Sequence, residues 1–172
     1  MPFVSRPGAR VHYEVHGDAA ADASDTVVLI QGLGLSSRFW FDVPSSLAAD
    51  PARPRRVITV DNRGTGRSAG PSPWPPLSLA TMADDVAAVL DDARVTSATV
   101  VGISMGGMIA QHLALRHRAR VVGLVLLATS PGLLAGTPPD PTAIYRLLSL
   151  PFGGRRASKN LARLLLPPSK WE

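Results

Sequence analysis

The sequence predicts an α/β domain: a mostly parallel sheet flanked by helices. Three observations carry that expectation. Short, nearly continuous apolar runs recur along the first 130 residues, and stretches of helical period separate them. The chain of 172 residues, 45% hydrophobic and 18% charged, is long enough to bury one core. Apolar runs without alternation suit strands covered on both faces, as parallel sheets require. Strand, helix, strand in alternation then implies right-handed crossovers.

The elements follow in order. The N-terminal stretch reads as a hairpin, and "RVHYEVHG" (10–17) alternates apolar and polar positions like a half-exposed strand, with a Gly-Asp turn behind it. "TVVLIQG" (26–32), "RRVITVDNRG" (55–64), "SATVVGIS" (97–104) and "VVGLVLLATS" (121–130) are the parallel-strand candidates. Helical stretches lie near 36–50, 78–93 and 105–118. In the middle one Leu79, Met82, Val86, Val89 and Leu90 recur at three- and four-residue steps, with acids assigned to the other side. "AGPSPWPPLS" (69–78) is too rich in proline for a helix or strand interior and reads as a loop. After Ser130 the rhythm changes, with leucine-rich helical candidates near 141–151 and 155–166.

Composition and charge exclude several function classes. There is no cysteine, so no disulfide, thiolate metal site or cysteine nucleophile is available. The net charge of +5 invites a nucleic-acid reading, but residues 1–140 hold twelve basic and twelve acidic residues. The surplus comes from residues 141–172, six basic residues against Glu172, interleaved with leucines as on a solvated helix face. No partnership with nucleic acid is expected. "DNRGTGRS" matches neither the phosphate-binding G-x-x-x-x-G-K-[ST] loop nor a G-x-G-x-x-G that opens a helix. No secretion signal or membrane-spanning run is read, so the expected location is the cytoplasm, without membrane association.

The chemistry concentrates in "VVGISMGGMIAQ" (100–111), where an apolar strand gives way to a helix and Ser104 sits on the turn between them. A turn that tight strains its central residue and brings positions two away into collision, which Gly102 and Gly106 relieve; Gly107 permits closer packing still. The strain lifts the hydroxyl clear, at a helix N-terminus where the macrodipole favours developing negative charge.

Gly102-Ile103-Ser104-Met105-Gly106 resembles the G-x-S-x-G nucleophile elbow of the α/β-hydrolase fold, in the strand–turn–helix context that motif needs. Two further segments strengthen the resemblance. "LIQGLG" is similar to the family's H-G-x-x segment, which implies that the Leu33 and Met105 backbone N–H groups form the oxyanion hole. "VDNRGTGRS" (60–68) resembles the D-x-R-G-x-G-x-S loop, a structural and site-shaping element. Gln31 stands where the family usually has histidine, and a glutamine amide can still hydrogen-bond there. The resemblance implies a cofactor-independent serine hydrolase of esters, lactones or related small acyl compounds, without a metal.

The family orders its triad as Ser, then Asp or Glu, then His. After Ser104 the sequence offers only His112 and His117, roughly 12 Å and 20 Å along the helix axis at 1.5 Å per residue. These two, with His12 and His16, read as surface or helix-packing histidines, and Asp140 reads as a helix cap. The expected organisation is a partial hydrolase core at 1–130, truncated after about the sixth strand, followed by the start of a helical cap at 131–172. The triad acid and histidine are absent from that expectation. Three consequences belong to it: an exposed apolar edge at 121–130, self-association or a complementing chain there, and low solubility. The alternative is an inactive fragment that binds a ligand or partner through that surface. Trp40 and Phe41 read as core packing of the first helix ahead of an acyl pocket, and Met105 and Met108 as pocket or helix packing.

Overall fold

The computed structural model of the chain describes residues 2–17, 25–68, 78–132 and Thr142. Met1–Pro131 and Gly132–Glu172 form two compact units, and the first is described below. The cap expected at 131–172 with its two helices, Asp140, and nearly all of the loop expected at 69–78 lie outside the described residues.

Six strands form one sheet: β1 (Phe3–Arg6), β2 (Ala9–His16), β3 (Thr26–Ile30), β4 (Arg56–Val60), β5 (Ala98–Ile103) and β6 (Val121–Leu127). Their order is β1-β2-β4-β3-β5-β6. The two N-terminal strands run antiparallel, and β4, β3, β5 and β6 are mutually parallel. A two-residue turn closes the β1–β2 hairpin, with Arg6 opposite Ala9 and Gly8 at φ 71°. Helices α1 (Val43–Ala48), α2 (Leu79–Asp92) and α3 (Met105–Arg116) connect the parallel strands in turn.

The sheet explains the unbroken apolar runs. All five residues of β3 are buried: Val28 and Ile30 join the cluster under α2 and α3, while Val27 and Leu29 join Trp40 and Val57 on the other face. β6 is the exception. It lies at the sheet edge, and Val122, Leu124, Val125, Leu126 and Leu127 are all exposed, Val122 by 58%.

Three expectations need correction. The helix expected over 36–50 is broken into a 3-10 turn (Ser37–Trp40) and α1, because Pro44 favours a helical start and Phe41 takes φ 49°. Trp40 packs in the core, but Phe41 is 79% exposed and packs in none. Asp85, expected among the acids of a polar face, is buried with the apolar residues of α2. There Arg63 grips it bidentately, Nε to Oδ2 at 2.9 Å and Nη2 to Oδ1 at 2.8 Å, and Arg6 Nε donates to Oδ1 at 3.2 Å. The other end of α2 is tied to β2 by the Tyr13 hydroxyl, which donates to Asp92 at 2.6 Å. Burial and that carboxylate push the Tyr13 pKa up to about 12. Among the described residues no helix is long and apolar enough to cross a membrane.

Candidate active site

Ser104 joins β5 to α3, exposed, with φ 54° and ψ −123°. A non-glycine residue held there is strained, and close backbone packing on both sides holds it. A Cβ on Gly102 would stand 2.3 Å from the Gly106 carbonyl oxygen, and one on Gly106 would stand 2.2 Å from the Ile30 oxygen. Gly107 packs against Thr129, whose hydroxyl donates to the Ser104 carbonyl at 2.6 Å. The Ser104 N–H donates to Leu127 O at 2.9 Å, so β6 also braces the turn.

The segment after β3 faces this serine. A Cβ built on Gly32 would be 3.7 Å from Ser104 Oγ. Neither the Leu33 N–H nor the Met105 N–H donates to any partner among the described residues. The Leu33 and Met105 amides are therefore unengaged, one in the residue after Gly32, which faces Ser104, and the other in the residue after Ser104 itself. Gln31 folds back so that its Oε1 accepts the Gly32 N–H at 3.2 Å.

The loop after β4 anchors that segment. Asp61 Oδ1 accepts the Ser37 N–H at 2.6 Å and Oδ2 accepts the Arg67 N–H at 2.9 Å. Burial pushes the Asp61 pKa up, but those N–H groups and His12 outweigh it, so the net value falls below the ordinary one. A lowered carboxyl pKa contributes stability above the unfolded-state value that is lost as pH falls through the folded one, so the anchor is intact in neutral solution. These contacts lie beyond what the sequence motif of this loop implies, which is a site-shaping role alone. The signal was the pair of polar residues, Asp61 and Asn62, placed directly after an apolar strand.

No histidine reaches Ser104. His12, expected at the surface or against a helix, is fully buried, its Nδ1 3.2 Å from Asp61 Oδ2 without hydrogen-bond geometry and its Nε2 3.2 Å from Arg67. His16 lies 3.9 Å from Glu14. His117 contacts Asp84 at 2.7 Å beyond the far end of α3, and His112 sits two turns along that helix. Ser104 Oγ has no hydrogen-bond partner among the described residues. No group of three metal-ligating side chains occurs among them either.

A model of the alpha/beta hydrolase fold family matches residues 25–167. The chain belongs to the alpha/beta hydrolase family. Among its relatives, a protein of Caulobacter vibrioides provisionally named carbamate hydrolase RutD is 42% identical over 117 residues, 68% of this chain and 41% of that protein. The solved structure of Est816, described as an N-acyl homoserine lactone degrading enzyme, is 34% identical, with a TM-score of 0.69. The match covers 89% of this hydrolase-family chain and 55% of Est816. A hydrolase from Pseudomonas aeruginosa PA01 is 27% identical, with a TM-score of 0.76 over 98% of this chain and 60% of that one. The chain thus spans between about two fifths and three fifths of the length of these relatives.

Proposed function

We propose that this chain carries the nucleophile and the oxyanion hole of a cofactor-independent serine hydrolase acting on carboxylic esters, lactones or related acyl compounds such as carbamates. One observation carries the reading: an exposed, strained Ser104 that Gly32 faces closely, with the N–H groups of the next residues, Leu33 and Met105, both unengaged. The names of the relatives, carbamate hydrolase and lactone-degrading enzyme, support the substrate class. Ser104 Oγ attacks the acyl carbon and its proton passes to a base. The carbonyl oxygen takes the negative charge and is held by the two amides. The leaving oxygen or nitrogen then departs with a proton, and water releases the acyl group from Ser104. All four histidines are engaged elsewhere or too far along α3, and among the described residues none stands beside Ser104 as its base.

Imidazole in solution can stand in for that base, because Ser104 is exposed. A fluorophosphonate probe reports the step: an Oγ–P bond forms, the P–F bond breaks, imidazole takes the proton and fluoride leaves. The expected result is labelling of Ser104, located by peptide mass spectrometry, that rises at least about 10-fold with imidazole, part of the 10²–10⁴ a positioned base supplies. Ser104→Ala shows none. Imidazole-independent labelling at an enzyme-like rate would place a base within the chain, and absence of labelling with or without imidazole would overturn the nucleophile.

The edge strand gives a separate expectation. Residues 121–129 contain no charge, and among the described residues the outer edge of β6 pairs with no strand while its apolar side chains are exposed. In solution the chain self-associates through β6, with a weight-average mass that rises with concentration in sedimentation velocity. Leu124→Lys with Leu126→Lys shifts it toward monomer. A wild-type monomer at tens of micromolar, on the order of the range where unpaired strand edges aggregate, would count against this.

A further inference from the structure

The pair of free amides depends on a segment that glycine makes permissive. Gly32-Leu33-Gly34 can turn its peptide planes readily, since Gly32 has no side chain and Gly34 sits at φ 72° with open space around it. Something outside the segment has to fix which way the N–H groups point.

The structure assigns that role to Asn62, as a positioning residue for the oxyanion hole; the inference rests on the functional reading above. Asn62 is 3% exposed, and its Nδ2 donates to the Gln31 carbonyl oxygen at 2.8 Å. The N–H at the other end of the same peptide unit, that of Gly32, donates to Gln31 Oε1. Two carboxamides therefore hold one peptide plane at both its oxygen and its hydrogen. The next unit is held at its oxygen alone, where Gly32 O accepts the Leu35 N–H at 3.3 Å, and its hydrogen is the free Leu33 N–H. The Gln31 oxygen would also lie 2.6 Å from a Cβ on Gly106, so the clamped carbonyl packs directly on the first turn of α3. Asn62 is itself fixed, its carbonyl accepting both the Thr65 N–H at 2.9 Å and the Thr65 hydroxyl at 2.8 Å. The chain of contacts runs from the loop after β4, through one side-chain amide, to the plane preceding the oxyanion donor.

A donor held in place in advance acts chiefly on the reacting state, whereas a residue that only stabilises the fold acts on the melting temperature. The test is imidazole-assisted phosphonylation of Ser104 over a range of probe concentrations. Asn62→Ala is expected to lower the maximal rate about 10-fold, part of the 10²–10³ lost with a whole oxyanion donor, and to leave the apparent probe affinity unchanged. Amide hydrogen exchange at Gly32 and Leu33 rises in the same variant. Gln31→Leu loosens the other end of the same plane, so the double variant loses little more than the larger single loss. If Asn62→Ala does not fold, Asn62→Ser supplies the same comparison. A folded Asn62 variant with an unchanged maximal rate overturns the clamp while wild-type labelling stands. Failure of wild-type labelling falsifies the functional reading instead.

Discussion

Gly106→Ala is expected to abolish imidazole-assisted labelling of Ser104 and to lower the melting temperature, as read by circular dichroism. The added methyl would sit 2.2 Å from the Ile30 oxygen and 2.6 Å from the Gln31 oxygen, and both obstacles are backbone. No rotamer change relieves that overlap, so α3 has to withdraw from the end of β3. Ordinary overpacking in a core costs about 1–3 kcal/mol, and a backbone clash this close belongs at the upper end or beyond. The helix propensity that alanine gains over glycine is about 1 kcal/mol in a helix interior and less in a first turn, too small to compensate. Function falls further than stability, because the same withdrawal separates Gly32 from Ser104. Gly107→Ala is the internal comparison. Its methyl meets Thr129 at 2.6 Å from Cβ itself, which no rotamer moves, so the segment after β6 has to shift and the Thr129–Ser104 bond is disturbed, while the contact of Gly106 with the end of β3 is left in place.

The parts of this molecule legible in its sequence are those set by local pattern. "TVVLI" has no polar face because β3 has none, being covered on both sides. The serine between glycines was legible because a strained strand-to-helix turn tolerates almost nothing else at Gly102 and Gly106. What stayed hidden depends on contacts distant in sequence. Asp85 has the spacing of a solvated acid, and only the approach of Arg63 and Arg6, 22 and 79 positions away, makes its burial affordable. His12 alternates like an exposed strand residue, yet the loop after β4 covers it. The Asn62 clamp is of the same kind, joining two loops 31 positions apart. Even the helix expected at 36–50 failed locally for a stated reason, a proline eight residues into it.

Removing Asp85 tests whether that long-range grip carries the fold. Asp85→Ala leaves Arg63, 8% exposed, with its charge unanswered and, among the described residues, only the Pro7 carbonyl, at 2.8 Å, still accepting from it. The Arg63 pKa is raised chiefly by its hydrogen bonds to Asp85, against the desolvation that lowers it, so the guanidinium stays charged and cannot escape by neutralising. Breaking one side of a buried pair costs about 3–5 kcal/mol. For a unit of this size that is a fall in melting temperature of roughly 10 °C or more. Arg6→Ala costs far less, because its side chain is 29% exposed and is the third member of the group. The decisive comparison is Asp85→Leu combined with Arg63→Met. Replacing a whole buried pair by apolar side chains of similar size is often neutral, so the double variant recovers much of the stability that Asp85→Leu alone loses. Urea denaturation of the four proteins measures the coupling. Additive losses would show that Asp85 and Arg63 stabilise the β1–β2 hairpin and α2 separately, not as one ion pair.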